Sequence, residues 1–183
     1  MISLGIESTA HTFGIGLISS DRKIIFEKRS MFIPKKGSGF VPNDLAEHHN
    51  KIAADILKEI DMKKVDVISF SRGPGIPNAL MVGSTVARYL AEKYRKQLIG
   101  VNHAVAHIEI GKLTTGCKDP VVIYLSGGNT QIIAYAEGRY RIFGESEDIP
   151  IGNALDVFAR EIGLKMPGGP EIEKLARNGN YVE

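Results

Sequence analysis

Two histidines four positions apart are the side chains with the clearest capacity for chemistry in this sequence. His103 and His107 follow the apolar segment Leu98–Val101. Asn102, which directly precedes His103, is a suitable helix N-cap. On a helix, residues at i and i+4 share a face, so both imidazoles can reach one metal ion. The spacing therefore allows a metal site at the carboxyl edge of a sheet, where α/β proteins bind ligands. Solvated or core-packed histidines would show the same spacing.

Two observations on the histidines argue against a protease or a second metal site. The residues between His103 and His107 are Ala104, Val105 and Ala106, so the glutamate that a zinc protease uses as general base is absent from this interval. His48 and His49 are adjacent and are expected to point to different sides of their helix. We interpret this second pair as structural or surface residues.

Two turns of small and hydroxyl residues suggest phosphate binding. Glu7–Ala10 and Ser126–Thr130 each join two apolar segments, and Gly127 and Gly128 allow close approach of a ligand to the backbone. Backbone amides that converge in such turns form anion-binding nests. The hydroxyl groups that could add hydrogen bonds are those of Ser8, Thr9, Ser126 and Thr130. Either turn alone is also compatible with a tight hairpin that binds nothing, but the presence of both favours phosphate.

Three other features each have a functional and a purely structural interpretation. Asp156 lies on a predicted helix and is either an exposed acid or a ligand for a hydroxyl or ammonium group. Gly168 and Gly169 precede a helix, where free amides bind anions, although acidic residues in its first turn also suit an ordinary helix start. The lysines of the loop 35–39 either contact RNA phosphates or are solvated.

The elements that must position these residues occur in the order βββ-α-β-α-β-α, followed by βββ-α-α. The predicted strands are Ile2–Glu7, Phe13–Ile18, Ile24–Phe32, Val65–Phe70, Leu98–Val101, Val121–Leu125, Gln131–Tyr135 and Arg139–Phe143. The predicted helices include Met81–Tyr94, Ile151–Ile162 and Pro170–Arg177, with one around Leu45 to Ile60 and one from His103. On the helix that carries Asp156, the expected apolar face consists of Ile151, Leu155, Phe158 and Ile162. Because the pattern restarts after Gly116 and Pro120, we predict a first lobe at 1–117 and the beginning of a related second lobe at 118–183.

Composition narrows the class of protein. The 183 residues are 43% hydrophobic and 24% charged, as in ordinary globular proteins, and the net charge is only +2. Any RNA contact is therefore expected to be local or shared with a partner. The single cysteine, Cys117, and the absence of a leader or a long apolar run predict a cytoplasmic protein without membrane spans.

In their order along the chain, these segments closely resemble the tRNA N6-adenosine threonylcarbamoyltransferase family. The segments that carry the resemblance are Ser71–Gly75, Gly100–His103, His107–Glu109, Tyr124–Gln131, Gly152-Asn153 with Asp156, and Pro167–Pro170. The sequence Tyr124–Asn129 resembles that of the archaeal and eukaryotic branch of the family. Members of this branch are the catalytic subunits of the KEOPS complex, and the family was formerly described as a glycoprotease (O-sialoglycoprotein endopeptidase). The resemblance covers essentially the whole chain and implies that a C-terminal part of the family's length is missing.

The resemblance implies a fold and a ligand set. The implied fold is α/β and actin-like (related to the RNase H-like fold), with a mixed sheet and flanking helices in the first lobe and the start of a similar second lobe. It further implies one divalent iron or zinc ion held by His103, His107 and Tyr124, with a late aspartate beyond Glu183. The residues implied to contact the substrate are Tyr124, Leu125, Ser126, Gly127, Gly128, Asp156, Gly169 and Glu173.

The resemblance also implies an activity: transfer of threonylcarbamoyl from threonylcarbamoyl-AMP to N6 of the adenosine next to the anticodon. The implied ligands and partners are this adenylate or ATP and AMP, tRNA, and the small dimerisation and kinase-like subunits of KEOPS. Three alternatives stay open. The chain could be a non-catalytic docking module for those subunits, or an actin-like ATPase or kinase that does not use His103 and His107. A metalloprotease ranks last, because the intervening glutamate is missing.

Overall fold

The computed structural model describes residues 1–34 and 40–180. The loop 35–39, with the lysines considered for RNA contact, lies outside the described residues. The chain divides into two compact units, of which the first comprises Met1–Ile33 and Phe40–Thr114 and the second includes the residues from Thr115 onward. Across the described ranges, no helix has the length and apolarity that crossing a membrane requires.

The first unit is built on a five-stranded mixed sheet in the order β3-β2-β1-β4-β5. Its strands are β1 (Ile2–Glu7), β2 (Thr12–Ser19), β3 (Ile24–Met31), β4 (Val67–Gly73) and β5 (Gln97–Asn102). The first three form an antiparallel meander, whereas β4 is parallel to β1 and β5 is parallel to β4. Because parallel strands end at the same edge, Glu7 at the end of β1 and Asn102 at the end of β5 lie at one edge of the sheet.

Helices complete the first unit. They are α1 (Pro42–Leu57), α2 (Pro77–Tyr94) and α3 (His103–Thr115), with a short 3-10 helix at Met62–Lys64. Both α1 and α2 begin with proline, whose fixed φ suits the first helical turn. They contribute Ala53, Ile56, Ala87 and Leu90 to a buried cluster in which β1, β2 and β4 supply Leu4, Ile6, Phe13, Ile15, Ile68 and Phe70. Burial of this apolar surface is the main stabilising contribution to the unit.

A polar chain crosses the packing between α1 and the strands. His49 is fully buried and its Nε2 lies 2.9 Å from the carbonyl oxygen of Ala10. Its Nδ1 lies 3.1 Å from Nδ1 of His48, whose Nε2 lies 3.1 Å from Oγ of Ser30. The two rings are therefore in contact, and the expectation that they point to different sides was wrong. The far nitrogens of the two rings reach different elements, Ala10 in the β1–β2 turn for His49 and Ser30 on β3 for His48.

The second unit has a three-stranded antiparallel sheet in the order β6-β7-β8. Its elements are β6 (Val122–Leu125), β7 (Thr130–Ala136), β8 (Arg139–Glu145), α4 (Ile151–Glu161) and α5 (Gly168–Ala176). Helix α4 packs on α5, where a Cβ at Gly168 would come within 2.4 Å of Ala159 Cβ.

The expected apolar face of α4 is not buried in this unit. Phe158 is 55% exposed, and Ile151 and Ile162 are also exposed, whereas Ala159 is fully buried. The four residues predicted to form the apolar face do lie along this helix, but three of them are exposed within the described residues. Periodicity identifies an apolar stripe, but it does not reveal whether a partner surface covers it.

The predicted order of strands and α-helices is confirmed, although several boundaries differ from the predicted ones. Strand β4 begins at Val67, because Val65 closes the preceding 3-10 turn through its backbone N–H to Met62 O. Helix α2 begins at Pro77, earlier than the predicted Met81, and α5 begins at Gly168, earlier than Pro170. In both cases the sequence near the helix start lacks a polar N-cap, so the boundary carries a weak signal.

Candidate active site

Helix α3 presents its two histidines at the edge where β1, β4 and β5 end. The side-chain Oδ1 of Asn102 accepts hydrogen bonds from the amides of Ala104 at 2.9 Å and Val105 at 3.2 Å. This confirms the predicted N-cap, which satisfies two of the amides that a helix start leaves without partners. The cap fixes the first turn of α3, and therefore the backbone from which His103 projects.

The two histidines of α3 face each other. The Nε2 atoms of His103 and His107 are 3.2 Å apart, and the ring planes are nearly perpendicular at 83°. Two imidazole nitrogens bound to one tetrahedral ion at about 2.0–2.1 Å would be separated by about 3.3 Å. Burial is the larger of two effects that lower the pKa of His107 from 6.5, and the neighbouring His103 is the smaller. Glu7 opposes them without cancelling them. The pair therefore fits a single metal ion, and His107 is kept in the neutral form that binds metals.

A carboxylate and a hydroxyl also lie beside the ring of His103. Oε2 of Glu7 lies 3.1 Å from Nδ1 of His103, and Oγ1 of Thr9 lies 3.4 Å from the same nitrogen. Burial alone would raise the pKa of Glu7, but hydrogen bonds from His103 and Thr9 outweigh it and lower this pKa below 4.5. Glu7 is therefore ionised at neutral pH.

The β1–β2 turn uses its own amides to hold itself together. The amide of Ser8 donates to Oγ of Ser71 at 3.1 Å, and that of Thr9 donates to Oε1 of Glu7 at 2.6 Å. The turn is also packed tightly, since a Cβ at Gly75 would lie 2.4 Å from the carbonyl oxygen of Thr9. These two amides are therefore engaged, and the turn supports His103 rather than presenting them to a phosphate.

The first unit brings together two of the side chains that the resemblance implies as metal ligands. Within residues 1–34 and 40–180, no group of three or more His, Cys, Asp and Glu side chains could hold a metal ion. Tyr124, the third ligand implied by the resemblance, belongs to the second unit, where it is buried on β6 and pairs in register with Gln131. The two histidines are thus brought together by a single helix, and Tyr124 is positioned by a different sheet.

In the second unit, the turn after β6 is closed by Ser126. Its Oγ accepts hydrogen bonds from the amides of Asn129 at 2.9 Å and Gly128 at 3.3 Å. A Cβ at Gly127 or Gly128 would meet no atom within 4 Å, so the outer side of the turn is open. Leu125, the preceding residue, is exposed. The space beside its two glycines is therefore unobstructed, while two of its amides are engaged by Ser126.

The start of α4 is joined to this turn. The amide of Ile151 donates to Oγ1 of Thr130 at 2.7 Å, and that of Gly152 donates to the carbonyl oxygen of Ser126 at 3.2 Å. Gly152 is required by the contact, because a Cβ there would lie 2.5 Å from the same oxygen. The position of α4, which carries Asp156, is therefore set by the turn.

Asp156 is engaged with the next helix. Its Oδ1 accepts a hydrogen bond from the amide of Gly168 at 2.7 Å, which places a carboxylate at the N-terminus of α5. A Cβ at Gly169 would meet no atom within 4 Å, and Glu173 lies further along α5 in an exposed ion pair with Arg177 at 2.7 Å. Asp156 and Gly168 are thus brought together, whereas the side chain of Glu173 is directed to a surface partner.

Sequence patterns did not reveal that Glu7 contacts His103. It was noted as part of a turn, and its partner His103 lies far along the chain. The available signal was topological, since a parallel arrangement of β1 and β5 brings their carboxyl ends to one edge. Spacing alone does not predict which side chains meet there.

A family model and individual related sequences identify the same family. Residues 23–183 match the sequence model of the family described as tRNA N6-adenosine threonylcarbamoyltransferase. The chain is 53% identical to the tRNA N6-adenosine threonylcarbamoyltransferase of Thermococcus sibiricus, over all of this chain and 58% of that protein. It is 50% identical to the protein of the same name from Thermofilum pendens, over 96% of this chain and 54% of that protein. The chain thus spans little more than half the length of these curated relatives.

A further relative carries a broader name. The chain is 50% identical to a probable bifunctional tRNA threonylcarbamoyladenosine biosynthesis protein of Methanocaldococcus jannaschii, over all of this chain and 35% of that protein. The match therefore falls within one part of a longer polypeptide.

Solved structures bear on the fold alone. A ROK family protein from Streptococcus pneumoniae, solved in complex with sucrose, superimposes with a TM-score of 0.58 at 15% identity, over 98% of this chain and 68% of that one. YeaZ from Pseudomonas aeruginosa gives a TM-score of 0.51 at 16% identity, over 79% of this chain and 65% of that one. These likenesses confirm the predicted actin-like α/β fold. Since the family match extends over most of the residues, including both histidines of α3 and the Ser126–Thr130 turn, the chain belongs to the tRNA N6-adenosine threonylcarbamoyltransferase family.

Proposed function

We propose that the protein transfers a threonylcarbamoyl group from threonylcarbamoyl-AMP to N6 of the adenosine next to the anticodon in tRNA. The observation that carries this proposal is the family match over residues 23–183, which includes His103 and His107 at the carboxyl edge of the first sheet. The N6 nitrogen attacks the carbamoyl carbon, a C–N bond forms, and the bond from that carbon to the phosphate oxygen breaks. AMP leaves with the bonding electron pair, and N6 releases one proton.

One divalent iron or zinc ion belongs to the proposal. His103, His107 and Tyr124 would hold it, and it would supply Lewis acidity towards the acyl group when bound. The support from the first unit is the 3.2 Å separation of the two Nε2 atoms on one helix face. The late aspartate implied by the resemblance would complete the set.

The second unit is proposed to bind the adenylate. Tyr124, Leu125, Ser126, Gly127 and Gly128 would contact it along β6 and the following turn. Asp156 on α4, and Gly169 and Glu173 on α5, would contribute further contacts. The open space beside Gly127, Gly128 and Gly169 supports this assignment. Asp156 would combine two tasks, since one of its oxygens accepts from the amide of Gly168 and a carboxylate can accept further hydrogen bonds from hydroxyls.

The tRNA and the protein partners follow from the same proposal. The target adenosine lies in a single-stranded loop, where a base can be splayed out without opening a duplex. A net charge of +2 supports an arrangement in which other subunits share the contact with RNA. We propose that these are the small dimerisation and kinase-like subunits of a KEOPS-type complex in the cytoplasm.

The test is a transfer assay with a protein that contains this chain and has the full length of its curated relatives. The protein is incubated with its partner subunits, threonylcarbamoyl-AMP labelled in the threonine moiety and unmodified tRNA. We expect label in tRNA, and we expect loss of at least about 100-fold in rate on His103→Ala, as for removal of a metal ligand. The matched control is Glu109→Gln on the same helix, which alters a partly exposed ion pair with Lys112. Equal rates in the two variants would contradict the assignment.

A second candidate function is docking of partner subunits by this chain alone. Helix α2 carries Met81 and Tyr89, which are 64% and 59% exposed, and large apolar groups at a surface often mark an interface. The purified chain would then bind an accessory subunit without added metal, and Met81→Asp would abolish binding. Unchanged binding by that variant would exclude this face of α2.

A further inference from the structure

We propose that Glu7 is a positioning residue for the metal pair: its carboxylate accepts a hydrogen bond from Nδ1–H of His103 and so holds Nε2 unprotonated for a metal ion. The inference rests on the metal site of the proposed function. It adds a residue outside the implied ligand set and assigns one tautomer to one ring.

The carboxylate is itself held in place. Its Oε1 accepts the amide of Thr9 at 2.6 Å, and the amide of Ser8 between them is tied to Oγ of Ser71 on β4 at 3.1 Å. Ser8 is 0% exposed, so this part of the turn is anchored inside the protein. Glu7 is therefore presented by a rigid strand end.

The second oxygen determines the state of His103. Oε2 lies 3.1 Å from Nδ1, a distance at which a carboxylate oxygen accepts a hydrogen bond from an imidazole N–H. Nδ1 must then carry the proton, and in a neutral imidazole the other nitrogen has the free lone pair. Thr9 Oγ1 competes weakly, because its distances of 3.4 Å and 3.5 Å to the two ring nitrogens are at the limit for a hydrogen bond.

The free lone pair points to the other histidine. Nε2 of His103 lies 3.2 Å from Nε2 of His107, where the fit to one ion was found. A carboxylate that accepts from the remote nitrogen of a metal-bound imidazole orients the ring and increases its basicity. Glu7 is not assigned as a ligand, because both of its oxygens are engaged and the described residues contain no group of three such ligands.

Glu7→Gln is the sharpest variant, because glutamine has nearly the same volume but only one acceptor oxygen. The amide of Thr9 and Nδ1–H of His103 both require an acceptor, so glutamine can satisfy only one of them. If its oxygen stays with Thr9, its NH₂ group faces Nδ1 and favours the Nε2–H tautomer of His103. The variant therefore tests the hydrogen bond with little change in packing.

The experiment uses the 183-residue chain without tRNA or adenylate. Long-range ¹H–¹⁵N NMR spectra of the metal-free chain report the tautomer of His103, assigned by comparison with His103→Gln. Zn²⁺ affinity is measured by competition with a chromophoric chelator. We expect the Nδ1–H form in the unaltered chain, and in Glu7→Gln both a shift towards Nε2–H and a loss of about 10–100-fold in affinity. Glu109→Gln, on the same helix as the histidines, should change neither.

Each outcome decides the proposal. His103 in the Nε2–H form in the unaltered chain would overturn it, even if Glu7→Gln did not fold. Equal Zn²⁺ affinity in folded Glu7→Gln and Glu109→Gln would overturn it as well. The tautomer is measured without the transfer reaction. The role of Glu7 can therefore be confirmed when the transfer assay fails, and it can be contradicted when the transfer assay succeeds.

Discussion

Gly83 of helix α2 lies directly against Ser8 in the β1–β2 turn. A Cβ at position 83 would come within 2.0 Å of Ser8 Oγ and 2.8 Å of Ser8 Cβ. Because Ser8 is fully buried, the added atom has no space, and we expect Gly83→Ala to destabilise the chain by about 1–3 kcal/mol. Urea denaturation followed by circular dichroism measures this change.

Gly111→Ala is the control for that substitution. Gly111 is also helical, and a Cβ there would meet nothing within 4 Å. Alanine should therefore stabilise α3 by about 0.5–1 kcal/mol. In a double-mutant cycle, Ser8→Ala should recover part of the cost of Gly83→Ala. Equal effects of the two glycine substitutions would show that the contact between α2 and the turn does not limit packing.

The buried histidine of α1 makes stability depend on pH. Burial lowers the pKa of His49 from 6.5 and outweighs its hydrogen bond to the carbonyl of Ala10. His48 and His11 act in the same direction, and Glu7 opposes them. The unfolded chain therefore binds a proton at a higher pH than the folded chain. The free energy of unfolding should decrease as the pH falls below 6.5, and this loss continues until the lowered folded-state pKa is passed.

Denaturation at pH 7.5 and pH 5.5 checks this sign. The unaltered chain should have the lower denaturation midpoint at pH 5.5. His49→Gln removes the titrating group, so its midpoint should depend less steeply on pH, although its overall stability will be lower. A steeper dependence in the variant would contradict the assignment of the effect to His49.

The order of elements was predictable because it depends on local patterns. Alternating apolar residues in β1 and β2, and Pro42 at the start of α1, are signals carried by neighbouring residues. The N-cap of α3 was equally local, since Asn102 bonds amides two and three positions away. Such features follow from backbone geometry and need no knowledge of the tertiary fold.

The contacts of the candidate site were less predictable because they are non-local. Glu7 meets His103 across the sheet edge, and His49 reaches Ala10 from a different element. The exposed Phe158 on α4 gives the opposite lesson, since its apolar pattern was correct but no described surface buries it. Sequence periodicity indicates which residues can be buried, whereas the topology determines what they contact.

Asp156 offers a separation of structural and binding roles. Its Oδ1 accepts from the amide of Gly168 at the start of α5. Asp156→Ala should destabilise the second unit by about 1 kcal/mol, as for loss of a helix cap, whereas Asp156→Asn keeps an acceptor and should retain stability. Hydrogen exchange of the Gly168 amide, measured by NMR, should be faster in the alanine variant only. Equal exchange in both variants would show that this hydrogen bond does not hold the helix.

Metal retention by this chain should be weak. Only His103 and His107 are brought together by the first unit, and the described residues contain no larger cluster of His, Cys, Asp and Glu ligands. Affinity depends on the full ligand set, so we expect well under one equivalent of iron or zinc after dialysis, measured by elemental analysis. The double variant His103→Ala/His107→Ala sets the background. One full equivalent in the dialysed, unaltered chain would contradict this expectation.

The central claim is the proposed transferase activity and its use of the histidines of α3. The most direct measurement quantifies AMP and threonylcarbamoyladenosine in one reaction that contains the protein used in the transfer assay, its partner subunits, threonylcarbamoyl-AMP and tRNA. We predict one AMP released for each adenosine modified, and we predict that His103→Ala/His107→Ala abolishes both products. Release of AMP without modified tRNA, or full activity in that variant, would contradict the account.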